Sequence, residues 1–164
     1  RKEYGEWFAA IMRHEWFANG VMLGYRYDNS LLVWPDGTPA PPDVSHPYTQ
    51  TARPGARAPH VFLADGRSTL DLFGRGFTLL RLGADPPGGD NIQRAAAERG
   101  VPLSVVALAE PEVLAAYQRR LVLVRPDGHV SWRADAEPAD AHALIDAVRG
   151  NSVQIHQQQL GRTS

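Results

Sequence analysis

The sequence contains no cysteine. This absence excludes disulfide bonds, thiolate catalysis, zinc–sulfur sites and any thiol redox role. The sequence also lacks a run of about 18 consecutive apolar residues, so it predicts no transmembrane helix and no membrane partner.

An excess of charge of either sign is missing as well. The chain has 17 Lys and Arg residues against 18 Asp and Glu residues, a formal net charge of −1 and a pI of about 6.7. This balance gives no electrostatic footprint that favours nucleic acid or anionic lipid. The 43% hydrophobic and 21% charged residues are typical of a globular domain.

Motifs for metal, phosphate or nucleophilic chemistry are also absent. None of the 6 histidines forms an H-x-H, H-x-x-x-H or H-E-x-x-H pair. We expect His129 to face solvent beside a turn. Gly74-Arg75-Gly76 precedes a predicted strand, so it does not match a dinucleotide-binding turn. We therefore assign no catalytic, cofactor-binding or metal-binding residue. Arginines interleaved with aspartates predict a solvated charge pattern rather than a phosphate site, and these arginines are Arg53, Arg57, Arg67, Arg75 and Arg81.

A β-hairpin is the best-specified element. Leu121 to Val124 is a continuous apolar run, which predicts a strand covered on both faces. Pro126-Asp127-Gly128 predicts the turn. After it, Val130 and Trp132 alternate with polar residues, which is typical of a half-exposed edge strand.

The order of the other elements predicts the fold class. Strand, helix, strand and helix precede the hairpin, and a helix that begins near Pro138 follows it. We expect an α/β, thioredoxin-like mixed sheet of four or five strands with helices on both faces. The other predicted elements are short strands at Leu31 to Trp34 and His60 to Leu63, the helix from Asp90 to Arg99, and the helix from Pro111. The predicted strands Gly76–Leu82 and Leu103–Leu108 should pair in parallel. The last helix should bury one apolar face, formed by Ala141, Leu144, Ile145 and Val148.

The N-terminal part predicts different structure. Arg1 to Phe17 carries apolar residues at helical spacing, and Val21 to Tyr27 is expected to be extended. Seven prolines between Pro35 and Pro59 predict a proline-rich arm. We divide the chain into an N-terminal helix and extended segment (1–34), a connector (35–51), a thioredoxin-like domain (52–150) and a polar tail (151–164). We expect self-association through aromatic and aliphatic residues of the first helix, namely Trp7, Phe8, Ile11 and Trp16.

The predicted scaffold lacks its usual redox site. A redox-active thioredoxin fold needs a cysteine in the loop after its first core strand, and here that loop is Gly83–Gly89. The proline that precedes the hairpin in such folds is also missing, because Gln118-Arg119-Arg120 occupies those positions.

Several spaced blocks resemble the C-terminal portion of FAD-dependent aromatic-ring hydroxylases, the flavoprotein monooxygenases of the phenol and polyketide hydroxylase branch. The resemblance covers about Leu23 to Gly150. The blocks are Leu23 to Tyr27, Arg53 to His60, Asp65 to Ser68, Asp71 to Gly74, and Leu121 to Val130 with Trp132-Arg133.

The resemblance implies a thioredoxin-like domain without redox cysteines, with a structural or subunit-contact role. It implies FAD and NAD(P)H for the parent enzyme, none of them bound by this chain, because the family's glycine-rich FAD turn and Gly-Asp segment do not occur here. The partners it implies are upstream FAD and substrate domains and other subunits, in the cytoplasm. Arg1 in place of methionine leads us to expect a fragment or a processed product.

Two alternatives stay open at this point. One is a stand-alone binding module on a thioredoxin-like scaffold without redox cysteines. The other is an enzyme in its own right, for example a cofactor-independent hydrolase that uses scattered His and Asp residues. A start codon directly before Arg1 would favour the first alternative, and a pocket with convergent titratable groups would favour the second.

Overall fold

The computed structural model describes residues 5–9, 12, 19–44 and 47–151. Residues 5–9 are helical. The regular elements are α1 (Asn19–Leu23), a 3₁₀ helix (Thr69–Leu72), β1 (Phe77–Leu82), α2 (Asp90–Glu98), β2 (Leu103–Leu108), α3 (Pro111–Tyr117), β3 (Leu121–Val124), β4 (Val130–Ala134) and α4 (Ala141–Val148).

The four strands form one mixed sheet in the order β2-β1-β3-β4. β1 and β2 are parallel and in register from Phe77 opposite Leu103 to Leu82 opposite Leu108, as predicted. β3 is antiparallel to both β1 and β4, with an irregularity between Leu123 and Val124. The connection through α2 and the hairpin after α3 give the predicted thioredoxin-like arrangement.

The sheet is covered on both faces, as predicted. Alternate residues of β3 enter opposite cores because successive side chains of a strand point to opposite faces. Leu121 and Leu123 pack with α2 and α4 in one core. Val122 and Val124 pack with α3 and with residues 52–63 in the other, and all four β3 side chains are fully buried.

Local signals explain where the last helix begins and ends. The Asp140 side chain accepts a hydrogen bond from the Ala143 N–H, so the helix begins after Asp140 rather than at Pro138. Gly150 adopts a positive φ of 86° just past the end, which suits glycine. The predicted apolar face is buried and comprises Ala141, Leu144, Ile145 and Val148.

Several local predictions were wrong. Val21 to Leu23 is helical rather than extended, and Leu31 to Trp34 forms no strand. The expected strand at His60 to Leu63 is reduced to one isolated bridge between Phe62 and Ser68. Ile11, Trp16 and most of the tail lie outside the described residues.

β4 is not half-exposed, contrary to the prediction. Ser131 and Arg133 are buried, although the alternation assigned them to a solvent face. The N-terminal arm, by which we mean residues 27–44 and 47–59, covers this edge of the sheet: Trp34 N–H donates to the Ser131 carbonyl, and Gly55 N–H donates to the Val130 carbonyl at 2.7 Å. The unpaired edge of a sheet is therefore shielded by the chain's own arm.

Candidate functional site

The loop Gly83–Gly89, where a thioredoxin fold carries its reactive cysteine, is held by side chains from β1 and from two connecting segments. Glu137 accepts hydrogen bonds from the Gly89 N–H at 3.1 Å and from the Asn91 N–H at 2.8 Å. Arg81 donates to the Pro87 carbonyl at 2.7 Å. Arg120 donates to the Asp85 carbonyl on the other side of the loop.

The Glu137 carboxylate places a negative charge at the end of this loop. Its carboxylate lies at the N-terminus of α2, where free N–H groups and the helix dipole favour an anion. A thiolate or a phosphate would need the same amides. The arrangement therefore stabilises a closed loop and leaves no anion cradle at this helix.

A buried ion pair fixes the arm to β4. Arg133 donates to the Asp36 carboxylate at 2.7 Å, with side-chain exposures of 3% and 7%. Arg133 also donates to the carbonyl of Tyr117 and to the side chain of Gln118, each at 3.2 Å. Burial alone would raise the pKa of Asp36, but the hydrogen bonds from Thr38 and Arg133 outweigh it and lower that pKa.

The hairpin turn forms a second contact with the arm. The His129 ring packs edge-to-face on Tyr27 with centroids 4.8 Å apart, and the Arg125 guanidinium lies 5.2 Å from the same ring. His129 is thus largely covered rather than facing solvent as predicted. Arg125 is paired with Asp127 through Nη2, while its Nη1 is buried without a hydrogen-bond partner in the described part of the chain.

Three arginines of the predicted charge pattern have partners within the chain. Arg67 pairs with Asp65 and Arg53 with Asp28, while Arg81 holds the loop described above. Arg99 and Arg149, which line an open cleft of about 680 Å³, both pair with Asp146. Hydrogen bonds from Arg99 and Arg149 lower the pKa of Asp146, chiefly through Arg99.

Within residues 5–9, 12, 19–44 and 47–151, no three His, Asp or Glu side chains are grouped so that they could hold a metal ion. None of the helices in these residues is both long and apolar enough to cross a bilayer.

The partners of Arg133 and Glu137 could not be predicted from the sequence. Asp36 is separated from Arg133 by 97 residues, and Glu137 from Gly89 by 48. No local motif relates such pairs. A lone Asp before Gly37 carries the same signal as any turn aspartate.

The fold and the loop together define a thioredoxin-like domain. Side-chain hydrogen bonds to the loop Gly83–Gly89 occupy the position at which such domains carry a reactive cysteine. A model of the family described as aromatic-ring hydroxylase, C-terminal, matches residues 51–151. The chain belongs to this family.

The similarity extends to full-length proteins. Aklavinone 12-hydroxylase RdmE of Streptomyces purpurascens is 38% identical over 142 residues, which cover 78% of this chain and 26% of that protein. The substrate-free rebeccamycin biosynthetic enzyme RebC is 43% identical, with a TM-score of 0.74, over 90% of this chain and 26% of RebC. Aklavinone-11 hydroxylase in complex with FAD and aklavinone is 38% identical, with a TM-score of 0.62, over 79% and 27% of the two chains.

The chain thus spans about a quarter of the length of these relatives and corresponds to their C-terminal domain. The described residues do not fit the FAD of such enzymes. The helix terminus that could receive its pyrophosphate is occupied by the Glu137 carboxylate, which would repel a phosphate.

Proposed function

We propose that this chain acts as the non-catalytic C-terminal domain of an FAD-dependent aromatic hydroxylase that takes its electrons from NAD(P)H. One observation carries the proposal. The chain matches only the C-terminal quarter of its relatives, and in the part described the loop at the usual reactive position is closed by Glu137, Arg81 and Arg120. Flavin chemistry requires a site preorganised around the cofactor, which the remainder of such a polypeptide would supply.

We extend the proposal to the organisation of the chain. Residues 1–34 form the end of the preceding substrate domain, 35–51 the connector, 52–150 the thioredoxin-like domain and 151–164 a polar tail. The match of the family model to residues 51–151 supports a boundary near Thr51. The arm nevertheless packs on β4, so the connector is part of the same folded unit.

The partners follow from the same proposal. The FAD and substrate domains of the parent polypeptide are the intramolecular partners. Helical residues 5–9 expose Trp7 and Phe8, which supports a homo-oligomer formed through this helix. An enzyme that consumes NAD(P)H works where this nucleotide is kept reduced, so we place the parent in the cytoplasm.

A flavin and turnover assay tests the proposal. We expect the purified chain to show no flavin absorbance after incubation with FAD, and no NADH or NADPH oxidation above a buffer blank with phenolic substrates. It should also fail to reduce disulfides, because thiol exchange needs a thiolate. The parent enzyme, assayed in parallel, should be yellow and active. Stoichiometric flavin on the isolated chain would contradict the proposal.

A further inference from the structure

One edge of the sheet is open in the part of the chain that the structure describes. β2 forms this edge, and β1 is its only neighbour in the sheet. The carbonyls of Pro102 and Leu108 accept hydrogen bonds of 2.9 Å from backbone N–H groups at either end of β1. Because the backbone groups of a strand point alternately to its two sides, Leu103, Val105 and Ala107 direct their N–H and C=O groups away from β1. We call these outward groups the β2 edge.

The β2 edge is unpaired and unprotected. Among the residues that the structure describes, no hydrogen bond from another segment reaches these groups. The exposed side chains of β2, Ser104 and Ala107, are small, so a further strand can approach closely. β2 contains no charged residue and no proline, and its register with β1 is unbroken. Proteins commonly use charges, prolines and bulges to prevent strand addition, so the β2 edge is competent to pair.

The chain before β2 gives the first end of this edge a positive charge. The residues directly before β2 line the open cleft of about 680 Å³ together with Arg99 and Arg149. These two arginines share one carboxylate, that of Asp146, so their positive charge is only partly neutralised. α2 and α4 end at this cleft, but the N–H groups of residues 99–101 and 149–151 bind the carbonyls of their last turns. The cleft therefore suits a carboxylate.

The chain after β2 gives the other end of the edge a negative charge. Glu110 and Glu112 follow the strand closely, at the start of α3. A segment that pairs with β2 is therefore favoured when its acidic residues lie beside Arg99 and Arg149 rather than beside these glutamates. Antiparallel pairing is slightly more stable per residue than parallel pairing, and in that orientation the acidic residues follow the paired run.

We infer that the β2 edge is a docking site for an extended segment of another protein, which adds to the sheet antiparallel to β2 and carries acidic residues directly after the paired run. The main chain of this segment bonds the outward groups of Leu103, Val105 and Ala107, which supplies affinity. Its acidic residues lie beside Arg149 at the cleft, which selects the partner by charge. The inference goes beyond the proposed function, because the edge is open whether or not the parent binds flavin.

An NMR titration of the isotope-labelled chain with synthetic peptides tests the inference. The probe consists of three Thr-Val repeats followed by two aspartates, and its isomer places the two aspartates before the repeats. We expect the probe to shift the amide signals of Leu103, Val105 and Ala107 and to leave those of β4 in place. The isomer should bind about tenfold more weakly, because in antiparallel pairing its charge lies beside Glu110. Absence of these shifts, or equal affinity of the two peptides, would overturn the inference.

A pair of variants at one position tests the backbone contact. Ala107→Pro removes an outward N–H, which an edge strand tolerates, and should weaken binding of the probe about tenfold. Ala107→Ser keeps this N–H and should bind like the unaltered chain. If Ala107→Pro does not fold, a probe that is N-methylated at the amides facing β2 makes the same test on the unaltered chain and should bind about tenfold more weakly. Undiminished binding in this comparison would contradict strand addition.

A second pair of variants tests the charge at the cleft. Arg149→Gln leaves Asp146 paired with Arg99 alone, so the probe should lose its roughly tenfold advantage over the isomer. Arg94→Gln removes an exposed arginine of α2 that does not line the cleft, and it should leave this advantage unchanged. An advantage that persists in Arg149→Gln would contradict the assigned polarity. Amide signals of the β2 edge that shift with chain concentration alone would overturn the inference, because a second copy would then occupy the edge.

Discussion

Arg133 keeps a guanidinium in the protein interior, and this requires a complete set of partners. Desolvation of an ion costs several kcal/mol unless hydrogen bonds and an opposite charge offset it. Asp36 supplies the charge, while Tyr117 and Gln118 supply two further acceptors. Gln118 adopts a positive φ of 63° at the C-terminus of α3, which places it beside the same guanidinium.

Loss of the Asp36 carboxylate should therefore be severe. We expect Asp36→Ala to lower the free energy of unfolding by about 3–5 kcal/mol, because it leaves an uncompensated buried charge. Asp65→Ala is the matched control, since the Asp65–Arg67 pair is exposed and such a pair contributes little to stability. Its loss of stability should be much smaller than that of Asp36→Ala. Urea unfolding measures both. Similar losses in the two variants would contradict a special role for the buried pair.

The same carboxylate should shape the acid side of the stability profile. The pKa of Asp36 is lower in the folded protein than in the unfolded chain. Its stabilisation is therefore complete above the unfolded value of about 3.9 and is lost as the pH falls through the lower folded value. Over this pH range the free energy of unfolding of Asp36→Ala should fall less per pH unit than that of the unaltered chain. An unchanged slope would show that other carboxylates control acid unfolding.

Tyr117 should shape the alkaline side of the stability profile. Its hydroxyl donates to the Pro59 carbonyl at 2.9 Å inside the core, and burial raises its pKa despite a hydrogen bond with Thr69. Stability should be complete below the unfolded value of about 10 and decline as the pH rises above it. Tyr117→Phe should cost about 1 kcal/mol at neutral pH and flatten this decline. Chemical unfolding between neutral and alkaline pH checks both; an equally steep decline in Tyr117→Phe would assign it to other groups.

At the scale of elements, predictability depended on how local the signal was. The apolar runs of β1, β2 and β3 and the Pro-Asp-Gly turn predicted the sheet core, because pattern and turn chemistry are written in adjacent residues. The arm was predicted only as a proline-rich segment. Its path along β4 depends on backbone hydrogen bonds and on the pairing of Asp36 with Arg133, which lies 97 residues away. Neither contact leaves a periodic signal in the sequence.

This missing information also caused the wrong prediction for β4. Alternation correctly indicated a strand, but it cannot show whether another segment covers the second face. The loop at Gly83–Gly89 is a similar case. The sequence showed that the cysteine was absent. Only the structure showed that the Glu137 carboxylate binds the Gly89 and Asn91 N–H groups at this position.

The close approach of Gly55 to the Tyr27 backbone within the arm can be tested by substitution. Gly55 has a φ of 93°, and a Cβ atom there would lie 3.1 Å from the backbone carbonyl of Tyr27. Gly66 has a similar φ of 85° but open space around it, which makes it the matched control. Gly66→Ala should cost about 1–2 kcal/mol from backbone strain alone.

Gly55→Ala should cost roughly 1–3 kcal/mol more than Gly66→Ala, because it also crowds Tyr27. It should also weaken the protection of the Tyr27 amide, which donates to the Gly55 carbonyl at 2.9 Å. Thermal unfolding and hydrogen exchange measure the two effects. Equal destabilisation by both variants would show that the arm adapts without cost.

At the scale of the whole molecule, the chain combines a complete sheet domain with an N-terminal segment that is apolar on its outside. Both faces of the sheet are covered and its β4 edge is shielded, whereas β2 forms the other edge and is only partly buried. Among the described residues, the large apolar side chains that are exposed lie before residue 51, apart from Phe62. The aromatic first helix predicted exposed apolar surface in this segment, and Trp7 and Phe8 are exposed there. The division of the chain into separate domains stays a prediction.

Self-association of the isolated chain is the consequence that can be measured directly. Trp7 and Phe8 lie on one short helical stretch with more than half of each side chain exposed, and water contact at such aromatic surface is unfavourable. In sedimentation experiments, the weight-average mass should rise above the 18.0 kDa of one chain as concentration increases. The double substitution Trp7→Asp and Phe8→Asp should restore a monomer at all concentrations. Phe62→Asp, which removes an even more exposed aromatic side chain from the sheet domain, should behave like the unaltered chain. A monomer at every concentration without substitution, or dissociation caused by Phe62→Asp alone, would contradict a contact through the N-terminal helix.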